Sequence, residues 1–219
     1  MSGSKVFLLR HAESQHNVDK NFERLDPTLT ESGTRAAEQL GLTFPESDSV
    51  GIVLSSPSQR AIQTAFAVFS KVLDQRYFDP ASGNGVEAGA VFIVDPDAQE
   101  RSALPCDTCS TRESLQQVFP YLDLSTLSDA EDAPWRSKTG SYSDQDEAVK
   151  TRATRLRETL QKMVVSCGKS SRPNVALVTH GVFMKALTND SSIDLPRPGW
   201  AAYRIQKGDD GNVVLAAAD

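Results

Sequence analysis

The chain has 219 residues, of which 39% are hydrophobic and 24% charged, and its formal net charge is −6. A protein of this size folds most simply as one domain that buries about 70% of its unfolded surface, enough for a core without disulfide bonds or metal ions. The negative charge argues against a general affinity for nucleic acids or anionic membranes, which need a positive surface, but allows one small anion in a local cluster of arginines.

In chain order, the sequence predicts strand 6–9, helix 31–42 with Thr30 as N-cap, strand 51–54, helix 58–74, strand 90–94, helix 145–166, strand 175–178 and helix 182–187. The final runs, AAYRIQ and NVVLAAA, flank KGDDG and predict a hairpin at a sheet edge. Strands that alternate with helices favour a largely parallel sheet with helices on both faces. The charged run RATRLRETLQK within the third helix is typical of a solvated helix face.

Two segments break this alternation. Residues 79–89 consist of loop-forming residues, and residues 95–144 are rich in Asp, Ser, Thr and Pro, with one short helix expected near 113–119. We therefore predict a single domain over residues 1–219, a three-layer α/β/α sandwich with a mainly parallel central sheet. An inserted segment at about 79–144 is expected to form a lid over a site at the strand ends.

The amino-terminal MSGSK lacks the charged and apolar parts of a signal peptide, and no apolar run approaches the ~18 residues of a membrane span. We therefore expect a protein of the cytoplasm or the nucleus. Its three cysteines do not indicate a full disulfide framework. Cys106 and Cys109 have CxxC spacing, but only Cys167 remains as a further thiol, so a structural zinc site is disfavoured; incidental thiols and a redox-sensitive pair stay open.

Basic side chains follow three of the predicted strands. Arg10 and His11 end the first strand, Arg60 lies on the first turn after the second, and His180 ends the last. Because ligands of open α/β sheets bind outside the carboxyl ends of the strands, these groups are expected to meet there. The planar guanidinium of arginine and the free N–H groups of helix N-termini both bind phosphate oxygens, so a phosphoryl group is the expected ligand.

A histidine among cations is expected to stay neutral at pH 7, since like charges lower its pKa. A neutral ring nitrogen is a nucleophile that can attack phosphorus and form a covalent intermediate. The apolar residues before His11 would then act as a rigid mount for that nucleophile.

Four segments resemble the motifs of the histidine phosphatase superfamily, the phosphoglycerate mutase-like proteins, and occur in the family's order. They are LLRHAESQHN, similar to Arg-His-Gly-Glu-Ser-x-x-Asn; DPTLTESG, similar to Asp-x-x-Leu-Thr-x-x-Gly; SSPSQRAIQTA, similar to Ser-x-x-x-Arg-Ala-x-x-Thr; and VTHGVFMKAL, similar to the closing His-Gly motif. Each motif is weak alone, and together they are specific. The sequence most resembles the small phosphatase branch.

The resemblance implies that His11 is the phosphorylated nucleophile. Arg10, Arg60 and His180 would hold the phosphoryl oxygens, His180 also serving in catalysis, and Asn17 would add a hydrogen bond. No metal ion or other cofactor is implied. His16, at a variable position of the motif, is expected to be structural or to lie at the rim.

The resemblance also implies a carboxylic acid that protonates the leaving oxygen, usually from the loop after the third strand. Here that loop reads VDPDAQERSALPCDT, which is similar to a Leu-Gln-Glu…Pro-Cys-Asp-Thr-Gly segment of one phosphatase subgroup. Glu100 is therefore the predicted general acid and later base. Glu113 is the alternative.

The expected function is metal-independent hydrolysis of a small phosphate ester, with no nucleic-acid or membrane partner and no prediction of the oligomeric state. Two alternatives remain open, a phosphoglycerate mutase-type transfer and a non-catalytic module that binds a phosphorylated ligand. A mutase needs additional basic residues in its lid. Residues 95–144 contain more acidic than basic residues, which favours hydrolysis. The basic residues are Arg101, Arg112, Arg136 and Lys138. Three aromatic residues of the same segment suggest contact with an apolar substrate or, alternatively, core packing; they are Phe119, Tyr121 and Trp135.

Overall fold

The computed structural model describes residues 3–130, 132–208 and 211–218. Its strands are β1 (Val6–Arg10), β2 (Val50–Ser55), β3 (Val91–Val94), β4 (Asn174–Thr179), β5 (Gly199–Lys207) and β6 (Val213–Ala217). Its α-helices are α1 (Gln15–Asp19), α2 (Glu31–Thr43), α3 (Gln59–Val68), α4 (Arg112–Val118), α5 (Pro134–Ser137), α6 (Asp146–Cys167) and α7 (Gly181–Thr188). Short 3-10 turns include Pro96–Ala98 and Pro105–Asp107.

The strands form one six-stranded sheet in the order β3-β2-β4-β1-β5-β6. The pairs β2–β3, β2–β4 and β1–β4 are parallel, whereas β5 is antiparallel to both β1 and β6. Arg10 lies opposite Thr179, and Ser55 lies opposite Val178, so that β1, β2 and β4 end at the same edge. The predicted mainly parallel sheet is confirmed, and so is the antiparallel pairing of the final two strands at its edge; part of the predicted KGDDG turn lies outside the described residues.

Helices cover both faces of the sheet. Phe7 and Leu9 pack with the residues of α2 and α3 on one face, while the alternate residues Val6 and Leu8 pack against α6 and α7 on the other. All four side chains are almost completely buried. This two-sided burial explains why the strand sequence is continuously apolar instead of alternating, and the predicted three-layer fold is confirmed.

Helix α3 is shorter than predicted. The apolar spacing predicted a helix to residue 74, but α3 ends at Val68 and the chain turns. Leu73 and Asp74 then make isolated bridges to Ala90 and Val86 beside the sheet. Apolar spacing cannot distinguish a buried turn of this kind from a continuing helix, because both bury the same residues.

The prediction that the charged run of α6 is a solvated face holds for Glu158 and Lys162 but was wrong for its arginines. Arg152 is fully buried and Arg157 nearly so. Arg157 donates to the carbonyl oxygens of Ala186 and Leu187 at the end of α7. Arg155 forms a two-pronged ion pair with Asp97. These arginines face inward because the packed helix end and the loop after β3 present carbonyl and carboxylate oxygens that need donors.

Much of the inserted segment packs on the sheet. Its apolar side chains belong to the same buried cluster as Phe7; they are Leu115, Leu122, Leu124, Leu127, Ala133 and Trp135. Within the described ranges, no helix has the length and hydropathy needed to cross a bilayer.

Candidate active site

His11 follows β1 directly and is 4% exposed. Its backbone N–H donates to the carbonyl of Thr179, 3.0 Å away, which extends the β1–β4 pairing by one residue. Its ring Nδ1 lies 2.7 Å from the carbonyl oxygen of Ala12. A carbonyl can only accept, so Nδ1 carries the proton and Nε2 keeps its lone pair.

The guanidinium of Arg60 lies beside this lone pair. Its Nε–H donates to His11 Nε2 over 3.3 Å. Burial, and secondly the Arg60 charge, lower the pKa of His11 well below its ordinary value of 6.5. The ring is therefore neutral at pH 7, as the sequence predicted.

Arg60 is 1% exposed, and each of its three guanidinium nitrogens donates a hydrogen bond within the site. Nη1 donates to the carbonyl of Cys106 at 2.6 Å, and Nη2 forms an ion pair with Asp107 at 2.8 Å. Nη2 also donates to His180 Nδ1 at 3.1 Å. The sequence analysis did not identify Asp107 as a site residue, although it belongs to the PCDT segment.

His180 lies beside His11, with 5.1 Å between the ring centroids. Because Arg60 donates to its Nδ1, its proton is on Nε2, which lies 2.9 Å from Ser56 Oγ. Burial and the charge of Arg60 lower the pKa of His180 well below 6.5. The predicted meeting of His11, Arg60 and His180 is therefore present.

Arg10 reaches the site along the first turn of α7. Its Nη1 donates to Asp194, 2.8 Å away, and to the carbonyl of Leu195. A Cβ on Gly181 would lie 2.7 Å from Arg10 Nη2, so the guanidinium occupies space that any larger residue would fill. Glycine after His180 is thus required for the position of Arg10.

Asn17 is held by a closed ring of hydrogen bonds. Its Nδ2 donates to His16 Nε2 at 3.0 Å, His16 Nδ1–H donates to Ser14 Oγ at 3.1 Å, and the Ser14 hydroxyl donates to Asn17 Oδ1 at 3.0 Å. Both ring nitrogens of His16 are engaged, so His16 fixes the orientation of the Asn17 amide. Burial, and next the Arg60 charge, lower the pKa of His16 to about 4.

Glu100 lies over the start of α7. Its carboxylate accepts from the backbone N–H groups of Arg101, Val182 and Phe183 at 2.7, 3.1 and 2.8 Å. Burial first, and the nearby Asp107 charge second, raise the pKa of Glu100. Glu113, in contrast, is exposed on the first turn of α4 and does not line the cavity described below.

Two buried cations hold the backbone of Glu100. Arg152 donates to the carbonyls of Gln99 at 2.7 Å and of Glu100 at 3.3 Å, and its guanidinium lies 4.3 Å from the ring centroid of Phe183. Lys138, from the inserted segment, donates to the same Glu100 carbonyl at 2.8 Å. Burial lowers the pKa of Lys138 to about 8. Neither contact was predicted, because nothing in a charged sequence run distinguishes an inward cation from a solvated one.

A cavity of about 270 Å³ is lined by all of the predicted site residues except His180, which lies behind Arg60. Its walls are formed by Arg10, His11, His16, Asn17, Phe22, Arg60, Glu100, Ser102, Leu104, Cys106, Asp107, Gly181, Val182 and Arg197. None of the three aromatic residues considered for an apolar substrate is among them: Trp135 is buried in the core, Phe119 stacks on Phe66, and Tyr121 lines a separate groove. Across the described ranges, no group of three or more His, Cys, Asp or Glu side chains could hold a metal ion.

The CxxC cysteines are free and buried. Burial raises the pKa of the Cys106 thiol to about 11, and it raises that of Cys109 further. Both thiols are thus protonated at neutral pH and poor nucleophiles. This favours incidental thiols over a redox-sensitive pair.

The family comparison agrees with this geometry. The model of the histidine phosphatase superfamily (branch 1) matches residues 6–80, which include His11, Asn17 and Arg60. The predicted resemblance to the histidine phosphatase superfamily is confirmed. Phosphoglycerate mutase-like protein 1 of Arabidopsis thaliana is 26% identical over 220 residues, covering 88% of this chain and 74% of the plant protein.

Solved structures of low sequence identity share the fold. Mycobacterial hydrolase 1 aligns with 99% of this chain and 97% of its own, with a TM-score of 0.59 and 20% identity. A mycobacterial glucosyl-3-phosphoglycerate phosphatase aligns with 99% of this chain and 97% of its own, with a TM-score of 0.56 and 18% identity. Such low identities support the fold and leave substrate and reaction to other evidence.

The lowered pKa of His16 predicts a pH dependence of stability. The unfolded chain protonates this residue near pH 6.5 and the folded chain near 4, so unfolding takes up a proton between these values. The His16 contribution to the free energy of unfolding is therefore complete above pH 6.5 and is lost on acidification by up to about 1.4 kcal/mol per pH unit.

Urea denaturation between pH 4.5 and 6.5 measures this contribution. The variant His16→Gln is expected to show a shallower loss of stability with falling pH than the wild type. Gln15→Ala, the neighbouring residue, should keep the wild-type slope. Equal slopes for His16→Gln and the wild type would contradict the assignment.

Proposed function

We propose that the chain is a metal-independent phosphomonoesterase that acts on a small phosphorylated metabolite through a phosphohistidine at His11. The observation that carries this proposal is the hydrogen bond from His11 Nδ1–H to the Ala12 carbonyl, which leaves the Nε2 lone pair directed at the Arg60 guanidinium. A nucleophile beside a fixed cation is what attack on an anionic phosphoryl group requires.

In the first step, the phosphoryl group enters the cavity and its oxygens take hydrogen bonds from Arg10, Arg60 and Asn17, while His180 keeps Arg60 in place through its Nδ1. The Arg60 Nε–H turns from His11 Nε2 to a phosphoryl oxygen, and the Nε2 lone pair that it releases attacks phosphorus. The bond from phosphorus to the leaving oxygen then breaks. Protonated Glu100 gives its proton to that oxygen, and its raised pKa favours the required form. The alcohol then departs.

In the second step, water attacks the phosphohistidine. The Glu100 carboxylate accepts the proton of the water, the N–P bond breaks, and its electron pair returns to Nε2. Inorganic phosphate leaves, and the enzyme is restored. Residues of the inserted segment form one wall of the cavity, and we propose that this segment serves as the lid of a single domain.

The main alternative is a mutase, which the name of the plant relative suggests. None of the four basic residues at positions 95–144 lines the cavity. Arg101 pairs with Asp146, and Lys138 is buried against the Glu100 carbonyl. A mutase that retains a multiply charged intermediate would need further cations from this segment beside Arg10, Arg60 and Arg197, which already line the cavity, so hydrolysis fits better. The cytoplasmic or nuclear location stays a prediction.

Turnover of 4-nitrophenyl phosphate tests the proposed function. The wild-type chain is expected to release inorganic phosphate equally with and without a chelator. His11→Ala should lower kcat by more than about 10⁴-fold, since the nucleophile is lost. Absence of turnover with many phosphate esters, together with retained binding of phosphate, would instead support the non-catalytic binding module.

Glu100→Gln tests the general acid. The amide keeps an acceptor for the backbone N–H groups but carries no acidic proton, so kcat for alkyl phosphates should fall by about 10²–10⁴-fold. For 4-nitrophenyl phosphate, whose leaving group needs little protonation, the fall in the phosphorylation rate should be much smaller. The pH profile of kcat for the Glu100→Gln variant should lack the alkaline limb, because that limb reports deprotonation of the general acid. Glu113→Gln is the matched control and should behave as wild type. A loss of activity in Glu113→Gln together with wild-type activity in Glu100→Gln would instead identify Glu113 as the general acid.

A further inference from the structure

The mouth of the candidate active site carries exposed apolar side chains. Phe22 and Leu104 are each 46% exposed and Val182 is 51% exposed, and all three line the cavity that contains His11. Two of them, Phe22 and Leu104, come from separate loops on one side, while Val182 lies on the first turn of α7. Apolar side chains concentrated at the entrance of a polar cavity indicate contact with an apolar part of a ligand.

The backbone holds this apolar wall in place. Cys106 N–H donates to the Phe22 carbonyl at 3.1 Å, and Asp26 N–H donates to the Pro105 carbonyl at 3.3 Å. These two bonds join the loop of Phe22 to the loop of Leu104. The Phe22 ring also lies edge-on to His16, with 6.3 Å between centroids. A wall built in this way is a preformed surface for a ligand.

Arg197 adds a cation at the same mouth. It lines the cavity and is exposed, and within the described part of the chain it makes no hydrogen bond and no ion pair. The nearby Asp194 carboxylate is engaged by Arg10 at 2.8 Å. The other arginines of the cavity, Arg10 and Arg60, both have carboxylate partners. Arg197 is therefore available to a second anionic group of the ligand.

We propose that the substrate is a phosphomonoester whose leaving alcohol combines a small apolar body, about the size of one ring, with a carboxylate. Phe22 and Leu104 would bind the apolar body, and Arg197 would form an ion pair with the carboxylate. The cavity of about 270 Å³ has room for a phosphoryl group and one ring. This inference rests on the proposed phosphatase function and adds the determinants of its specificity.

Three esters with similar primary-alcohol leaving groups test the inference: ethyl, benzyl and 4-carboxybenzyl phosphate. For the wild-type chain, kcat/KM is expected to rise about tenfold from ethyl to benzyl and about 10–100-fold from benzyl to 4-carboxybenzyl. Arg197→Gln should bring the ratio of 4-carboxybenzyl to benzyl close to one. Phe22→Ser and Leu104→Ser should lower the ratio of benzyl to ethyl.

Two exposed residues outside the cavity supply matched controls. Lys185→Gln removes a cation from α7, and Leu42→Ser removes an apolar side chain from α2; neither should change either ratio. Calorimetry with benzyl and 4-carboxybenzyl phosphonate measures the same preferences without turnover, so an inactive variant stays informative. It should show tighter binding of the carboxylate ligand by wild type and no such preference in Arg197→Gln.

The outcomes separate the two proposals. Hydrolysis of all three esters with equal kcat/KM overturns the inference and leaves the phosphatase function intact. Hydrolysis of 4-nitrophenyl phosphate but of none of the three esters likewise overturns the inference alone. Absence of turnover with 4-nitrophenyl phosphate as well overturns the function, and the inference falls with it.

Discussion

The contact between Arg60 and His11 is the constraint on which the site depends. A guanidinium and an imidazole can share a buried space only if the imidazole is neutral, because two desolvated cations would repel each other strongly. Burial and the Arg60 charge thus set the protonation state of His11, and the Ala12 carbonyl sets its tautomer. Together they leave Nε2 unprotonated beside the Arg60 guanidinium at the cavity wall, and the rigid β1 strand keeps it there.

Buried cations organise the surroundings in the same way. Arg60, Lys138 and Arg152 are almost completely buried, and each donates to backbone carbonyls. Loss of such partners would leave a buried charge unpaired, at a cost of about 3–5 kcal/mol. The loop that carries Glu100 and the segment around Cys106 are therefore held against the site by charge as well as by apolar packing. This ties the position of the proposed acid to that of the nucleophile.

The features that the sequence predicted correctly are those set by local patterns of apolar and basic residues. Apolar runs located β1, β2 and β4, and basic residues at their ends indicated that His11, Arg60 and His180 meet. The partners of these residues were not predictable, because Asp107 and Arg152 belong to a loop and a charged helix whose sequences equally suit solvent. Their roles arise from packing between elements far apart in the chain, which periodicity does not encode. Arg197 was missed for the same reason.

The protonation state of His11 is the central claim, and ¹⁵N NMR of the histidine ring nitrogens tests it most directly. At pH 6, the resonances of His11, assigned by comparison with His11→Ala, should show a protonated Nδ1 and an unprotonated Nε2, since burial and Arg60 hold its pKa well below 6.5. A doubly protonated ring at this pH, or the proton on Nε2, would contradict the account.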